Sequence, residues 1–127
     1  MTRQFRKHYT RDQARALLPQ IREWLKELQQ LRQQLSEQDQ RISKLLKDGH
    51  DLGGELVNNW VRLLAHTKAV LQQFRAREIQ VKDLDRGLID FPALLGEREV
   101  FLCWEQDEDD IEFWHELDTG YAGRERL

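Results

Sequence analysis

The sequence predicts an α+β fold, in which a long antiparallel helical hairpin resembling a coiled coil carries a small C-terminal antiparallel β-sheet cap. Two observations predict it. Apolar residues recur at alternating spacings of three and four between residues 17 and 74, and short runs of β-favouring residues follow. A length of 127 residues is typical of one domain. We therefore expect a single domain over 1–127, with the hairpin at 10–77 and the cap and tail at 78–127.

The first helix is predicted to begin after a capping box. Thr10 precedes Gln13 by three residues, so each side chain can bond the backbone of the other. Pro19 lies inside the helical pattern and predicts either a bend near residues 16–19 or the start of a new helix. The heptad positions are Leu17, Ile21, Trp24, Leu28, Leu31, Leu35, the polar Gln38, Ile42 and Leu45.

The second helix repeats this spacing after a predicted turn. The segment DGHDLGG at 48–54 carries three glycines and two aspartates, which favour chain reversal. We expect the two helices to pack against each other as an antiparallel hairpin. The heptad positions of the second helix are Leu56, Trp60, Leu63, Thr67, Val70 and Phe74.

Short β-like runs flank the helices. We expect a strand at 4–9 and a sheet built from 78–82, 87–91, 99–104 and 110–115, with turns near 85–87, 92–96 and 106–110. The last two runs carry large apolar residues on both faces. We therefore expect the helices to cover one face of the sheet, and a loop, the tail or a partner chain to cover the other.

Charge is distributed unevenly along the chain. The net charge of −3 gives no general reason to bind nucleic acid. Residues 1–22 are basic, whereas residues 97–118 carry ten acids and one base. Two interpretations stay open: solvated surfaces that attract each other, or a polarised surface that orients a partner. RNA binding through the basic N-terminus is a weaker hypothesis.

The sequence shows no span apolar enough for membrane insertion and no signal peptide. The single cysteine, Cys103, cannot form an internal disulfide. These features predict a cytoplasmic protein.

No local catalytic or metal-binding motif is present. The chain has no CxxC pair, HExxH helix, glycine-rich phosphate loop or nucleophile elbow. What remains is a non-local set of residue types that bind divalent metals such as zinc. Its members are Asp90, Cys103, Glu108 and His115.

Whether Cys103 can approach His115 depends on the register of the last hairpin. A four-residue loop at 106–109 places Cys103 opposite Glu112, on the other face from His115. A five-residue loop at 106–110 places Cys103 on the same face as His115, because one residue of slip inverts every side chain. Cys103 as a buried core residue and His115 as a cap on a backbone carbonyl stay open as alternatives.

Tryptophans and a C-terminal arginine complete the candidates. Trp24 and Trp60 are expected in the helical core, whereas Trp104 and Trp114 belong to the doubly apolar strands. Arg124 has two interpretations: it clamps the acidic hairpin, or it recognises an anion.

Three stretches resemble a known family. YTRDQARALLPQI, KDLDRGLIDFPALLGEREVFLCW and IEFWHELDTGYAGR are similar to bacterial domain-of-unknown-function family 2203 over essentially the whole chain. Where that family has Gly-Glu after its Cys-Trp element, this chain has Asp107 and Glu108. The resemblance implies a bacterial, cytoplasmic protein and no established activity. The matching motif residues are Lys82, Asp83, Gly87, Asp90, Phe91, Pro92, Gly96, Cys103, Trp104, Glu108, Trp114, His115, Gly120, Gly123 and Arg124.

Two functional hypotheses follow. The first is a non-enzymatic module that binds a protein partner or forms a homo-oligomer through the hairpin and an acidic, tryptophan-rich cap. The second is a divalent-metal-binding protein, either a metal-dependent hydrolase or a sensor, that uses the four-residue set above. No catalytic residue is assigned. The candidate functional cluster is Asp83, Asp90, Cys103, Trp104, Glu108, Trp114, His115 and Arg124.

Overall fold

The computed structural model describes residues 2–127 and confirms the α+β class. Helices α1 and α2 are followed by a five-stranded antiparallel sheet whose strands lie in chain order. Within residues 2–127, no helix has both the length and the apolar character needed to cross a membrane. The elements are α1 (Arg11–Lys47), α2 (Gly54–Ala76), β1 (Gln80–Asp83), β2 (Leu88–Leu95), β3 (Arg98–Glu105), β4 (Phe113–Glu116), a 3₁₀ turn (Tyr121–Gly123) and β5 (Glu125–Arg126).

Helix α1 begins at the predicted capping box. The backbone N–H of Gln13 donates to the Thr10 hydroxyl at 3.1 Å, and that of Thr10 donates to the Gln13 amide oxygen at 3.0 Å. The helix continues through Pro19, so the alternative of a new helix start there is wrong. Leu18 and Ile21 are buried on either side of the exposed proline, and their packing holds the helix together across the missing hydrogen bond.

The core lies at the sheet end of the hairpin. Leu18 and Leu25 are more buried than the heptad residues Leu17 and Trp24, because this half of α1 shares one core with both α2 and the sheet. A helix that contacts two neighbours needs a wider apolar stripe than a coiled-coil seam. Among the described residues of α1, none beyond Leu31 is fully buried, so the far half of the hairpin is lightly packed.

The sheet has an inner and an outer face. Ile89, Phe91, Leu102 and Trp104 point to the inner face and join the core with the helices. The residues that alternate with them belong to the outer face, because side chains along a strand point to opposite sides. The outer-face residues include Asp90, Phe101, Cys103 and His115.

The structure differs from three parts of the predicted β-structure. The strand expected at 4–9 is an irregular segment. The strand expected at 110–115 begins only at Phe113. Before it, the carboxylate of Asp110 accepts a hydrogen bond from the backbone N–H of Ile111 at 2.7 Å, and this local turn delays the start of the strand. Pro92 lies within β2 rather than in a loop. Strand β1 pairs with β2 only as far as Asp90. Proline has no backbone N–H, but Pro92 lies beyond this pairing, so no hydrogen bond between β1 and β2 is lost.

The chain itself covers the outer face. The ring of Phe5 lies edge-on to Phe101 with centroids 5.4 Å apart. At the other end, the guanidinium of Arg124 lies 3.9 Å from the centroid of Phe113. The tail was one of the three covers that the sequence left open, whereas the sequence did not predict that the N-terminal segment also covers this face.

The two oppositely charged regions meet. Arg15 donates to both carboxylate oxygens of Asp110, at 2.7 and 3.0 Å. Arg22 donates to the carbonyl oxygens of Gln106 and Glu108, at 2.8 and 2.9 Å. Attraction within the chain therefore binds the acidic hairpin to the basic face of α1. This agrees with the first interpretation of the charge pattern, in which the two surfaces attract each other.

Candidate metal centre

The register of strands β2, β3 and β4 brings three candidate residues together. Asp90 lies directly opposite Cys103, and His115 lies opposite Phe101 on the same face. This is the register in which Cys103 shares the face of His115. One ligand atom from each of Asp90, Cys103 and His115 lies within 4.8 Å of the others. No other such group of three occurs in the described part of the chain.

All three side chains are withdrawn from solvent. Asp90 is 1% exposed, Cys103 0% and His115 2%. A buried charge is costly unless it is paired or bound to a metal, so this arrangement needs a chemical explanation.

His115 has a partner at each ring nitrogen. Nε2 lies 2.9 Å from Asp90 Oδ2, and Nδ1 lies 2.6 Å from the carbonyl oxygen of Glu116. Since that carbonyl can only accept, Nδ1 carries a proton, which leaves Nε2 to face the carboxylate. Burial lowers the pKa of His115, but the bonds to Asp90 and Glu116 outweigh it and the net pKa is raised. Without a metal, Nε2 of His115 and Oδ2 of Asp90 therefore share a proton.

The second carboxylate oxygen of Asp90 is left without a partner. Among the described residues, nothing donates a hydrogen bond to Oδ1, although this atom is buried. An unsatisfied buried acceptor is rare in folded proteins and calls for a specific cause. A bound cation would satisfy it.

Cys103 is held as a neutral thiol in the absence of a cation. Burial and, after it, the nearby charge of Asp90 together raise the pKa of its thiol to about 12. Such a thiol is a poor nucleophile, because the thiolate is the reactive form. A coordinated metal deprotonates a cysteine outright, so this environment suits a metal ligand better than a catalytic cysteine.

The donor set fits zinc. Thiolate, imidazole and carboxylate are the three ligand types that zinc takes from proteins. Metal-binding histidines almost always donate their other ring N–H to a carboxylate or a carbonyl, which fixes the ring. The bond from His115 Nδ1 to the Glu116 carbonyl is of this kind.

The fourth predicted ligand is engaged elsewhere. Glu108 accepts two hydrogen bonds from Arg124 Nη2, at 2.6 and 2.9 Å, and one from the backbone N–H of Glu105 at 2.8 Å. The same guanidinium nitrogen donates to the Cys103 carbonyl oxygen at 3.2 Å. Arg124 thus clamps the acidic hairpin to the strand of Cys103, and Glu108 is not among the three clustered residues.

The remaining candidates have structural surroundings. Trp104 is fully buried, and its indole N–H donates to the Glu108 carbonyl oxygen at 2.9 Å. Trp114 packs against the core and is half-buried. Asp83 accepts the backbone N–H of Arg86 at 3.1 Å and closes the turn after β1. Trp104 is therefore withdrawn from the surface, whereas Trp114 is only partly covered.

Sequence reasoning missed Glu99, which lies on the same strand face as Cys103. Its carboxylate holds His8 at 2.8 Å and accepts the backbone N–H groups of Gln4 and Phe5 at 2.8 and 3.0 Å. The only signal in the sequence is its position four residues before Cys103, which gives both the same strand parity.

The fold and these surroundings define a small α+β protein with a buried carboxylate, thiol and imidazole on the outer face of its sheet. The chain belongs to the family of uncharacterized conserved proteins DUF2203, whose model matches residues 7–127. No curated protein and no solved structure matches it.

Proposed function

We propose that this protein binds a divalent transition metal, with zinc as the best fit, through Asp90, Cys103 and His115. The observation that carries the proposal is the unpartnered Oδ1 of Asp90, buried within the cluster of metal-binding side chains. A hydrogen-bonded core pair would account for His115 and Oδ2, but it would leave Oδ1 to the thiol of Cys103, which interacts with the carboxylate of Asp90 and is only a weak donor.

Metal binding at this site is coupled to protons. The cation takes the place of the proton between His115 Nε2 and Asp90 Oδ2, and it displaces a second proton from the thiol of Cys103. Each ligand is at most 2% exposed, whereas a hydrolytic metal must keep a position open to water and substrate. The burial of these ligands therefore fits a closed site better than a hydrolytic one, although the three residues fill only three of the four positions of a structural zinc.

Metal content tests the proposal directly. Untagged protein purified without chelator is expected to contain close to one equivalent of zinc by mass spectrometry. Cys103→Ala and His115→Gln are expected to lose most of it, because each removes a ligand. Glu108→Gln is the matched control, since Glu108 is a nearby carboxylate outside the cluster, and it is expected to keep its metal. Folded parent protein that takes up no zinc would contradict the proposal.

We also propose, as a second function, that the outer face of α2 docks a protein partner. Val57, Val61, Leu64 and Leu71 form one stripe along this helix and are 37%, 50%, 41% and 37% exposed. Their spacings of four, three and seven follow a heptad, so a partner helix can pack along the stripe.

Charge around the stripe indicates which partner fits. Helix α2 carries no acid after Glu55, while Arg62, Lys68 and Arg75 lie on or beside the stripe. Two copies of α2 packed together would bring these bases close to one another. An amphipathic helix with acidic residues beside its apolar stripe is therefore a better occupant than a second copy.

Site-specific cross-linking tests this surface. A photo-activated residue in place of Leu64 is expected to cross-link in cells to an acidic amphipathic segment of another protein. The same residue in place of the exposed Gln33 on α1 serves as the control and is not expected to do so. Cross-links only between copies of this chain, or equal yields at both positions, would refute the proposal.

A further inference from the structure

The N-terminal segment Gln4–Tyr9, here called the N-terminal strap, is tied down by side chains rather than by a strand ladder. Glu99 alone accepts three hydrogen bonds from it, from the backbone N–H groups of Gln4 and Phe5 and from His8 Nε2, at 2.8, 3.0 and 2.8 Å. One ladder-like backbone bond ends the strap, from the N–H of Tyr9 to the Pro92 carbonyl oxygen at 2.7 Å. Attachment through a few side chains allows residues 4–8 to detach from the sheet, whereas Tyr9 is buried in the core and anchors the end of the strap.

A second attachment lies at a strained residue. Glu78 has a φ of 58° at the C-terminus of α2, in the left-handed conformation that usually belongs to glycine. The N–H groups of Glu78 and Ile79 bond back to Arg75 and Phe74, both at 3.0 Å, so the helix end itself dictates this conformation. A glycine would relieve the strain but would lose the carboxylate, which accepts the Arg6 backbone N–H at 3.0 and 3.3 Å. The strain is therefore retained at the residue that attaches the strap, and this favours a functional role for the contact between Glu78 and Arg6.

The strap lies next to the candidate metal centre. The Phe5 ring covers Phe101, with centroids 5.4 Å apart, and Phe101 in turn lies 5.5 Å from the ring of His115. His115 is 2% exposed, so an ion reaches it only after part of this cover moves. Of the two segments on the outer face, the strap is linked to His115 through the ring of Phe101, whereas Arg124 of the tail bonds the backbone of Cys103.

We infer that the N-terminal strap is a gate for the metal: it controls how fast the ion exchanges without supplying a ligand. This inference rests on the proposed metal site. Variants of the strap and variants of the ligands are therefore expected to behave differently. Loosening the strap speeds both the uptake and the release of the metal, and it leaves the three ligands unchanged.

The test is the rate at which zinc-loaded full-length protein transfers its metal to a chromogenic chelator. Glu99→Gln is expected to speed this transfer about tenfold or more, since it weakens charge-assisted hydrogen bonds at the main attachment. Glu97→Gln, at an exposed acid two residues away, is the matched control and is expected to match the parent. Phe5→Ala gives a second route to the same result, because it uncovers Phe101 and leaves the carboxylates in place.

The outcomes separate the gate from the site. Faster transfer by Glu99→Gln and Phe5→Ala, with the zinc content still near one equivalent, supports the gate. Parent-like transfer rates in both variants at full zinc content overturn the gate and leave the metal site standing. If the folded parent takes up no zinc, the metal site fails and the gate fails with it.

Discussion

Replacement of Asp90 by alanine is expected to lower the free energy of unfolding of the metal-free protein by about 3 kcal/mol or more. The loss is large because Nε2 of His115, which is 2% exposed, would lose its carboxylate partner in a place that water does not reach. Urea denaturation, followed by the fluorescence of the four tryptophans, would measure it.

A double-mutant cycle would measure the interaction energy between Asp90 and His115 apart from their contacts with other residues. Asp90→Ala/His115→Ala is expected to lose less stability than the two single variants together, because removing both partners leaves no unpaired charge. Asp118→Ala, at an exposed acid in the turn after β4, is the control and is expected to change stability by less than about 0.5 kcal/mol. Additive single losses would show that Asp90 and His115 do not act as a pair.

Zinc is expected to stabilise the native protein strongly. At free zinc one hundred times the Kd, mass action alone adds about 2.7 kcal/mol, which corresponds to a rise in Tm of roughly 10 °C for a domain of this size. Differential scanning calorimetry with and without zinc would measure the shift. Glu108→Gln is expected to show the full shift and Cys103→Ala little of it.

The stabilisation by zinc is expected to grow with pH. The raised pKa of His115 means that its pair with Asp90 stabilises the metal-free protein fully below the unfolded pKa of 6.5, and that this contribution is lost as pH rises through the folded pKa. Zinc must displace protons from His115 and Cys103, so its affinity rises over the same range. A shift in Tm that is independent of pH would argue against ligation by these two residues.

The sequence was most informative where local chemistry determines structure. The capping box at Thr10, the glycine-rich turn at 48–54 and the heptad spacing predict the two helices, and the structure confirms them. These signals involve residues within a few positions of one another, so no knowledge of the tertiary fold is needed to interpret them.

The candidate site depends on the register of the last hairpin, which local sequence patterns do not determine. Cys103 and His115 share a face only in one of two registers, and the hairpin between them is shaped by distant contacts from Arg15 and Arg22 on α1. The same limit applies to Glu108. The sequence offered it both as a metal ligand and as part of the acidic hairpin that Arg124 clamps, and spacing alone does not decide between the two.

The sequential order of the five strands has a consequence for how the protein folds. All three candidate ligands come from residues 90–115, on three consecutive antiparallel strands, so the site assembles from contacts of low sequence separation. The strap reaches Glu99 across a separation of up to 95 residues, and closing so long a loop carries a larger entropic cost. We therefore expect the meander to form first and to offer its ligands while still uncovered. A nascent chain would in that case have a kinetic window for capturing a metal before its N-terminus closes over the site.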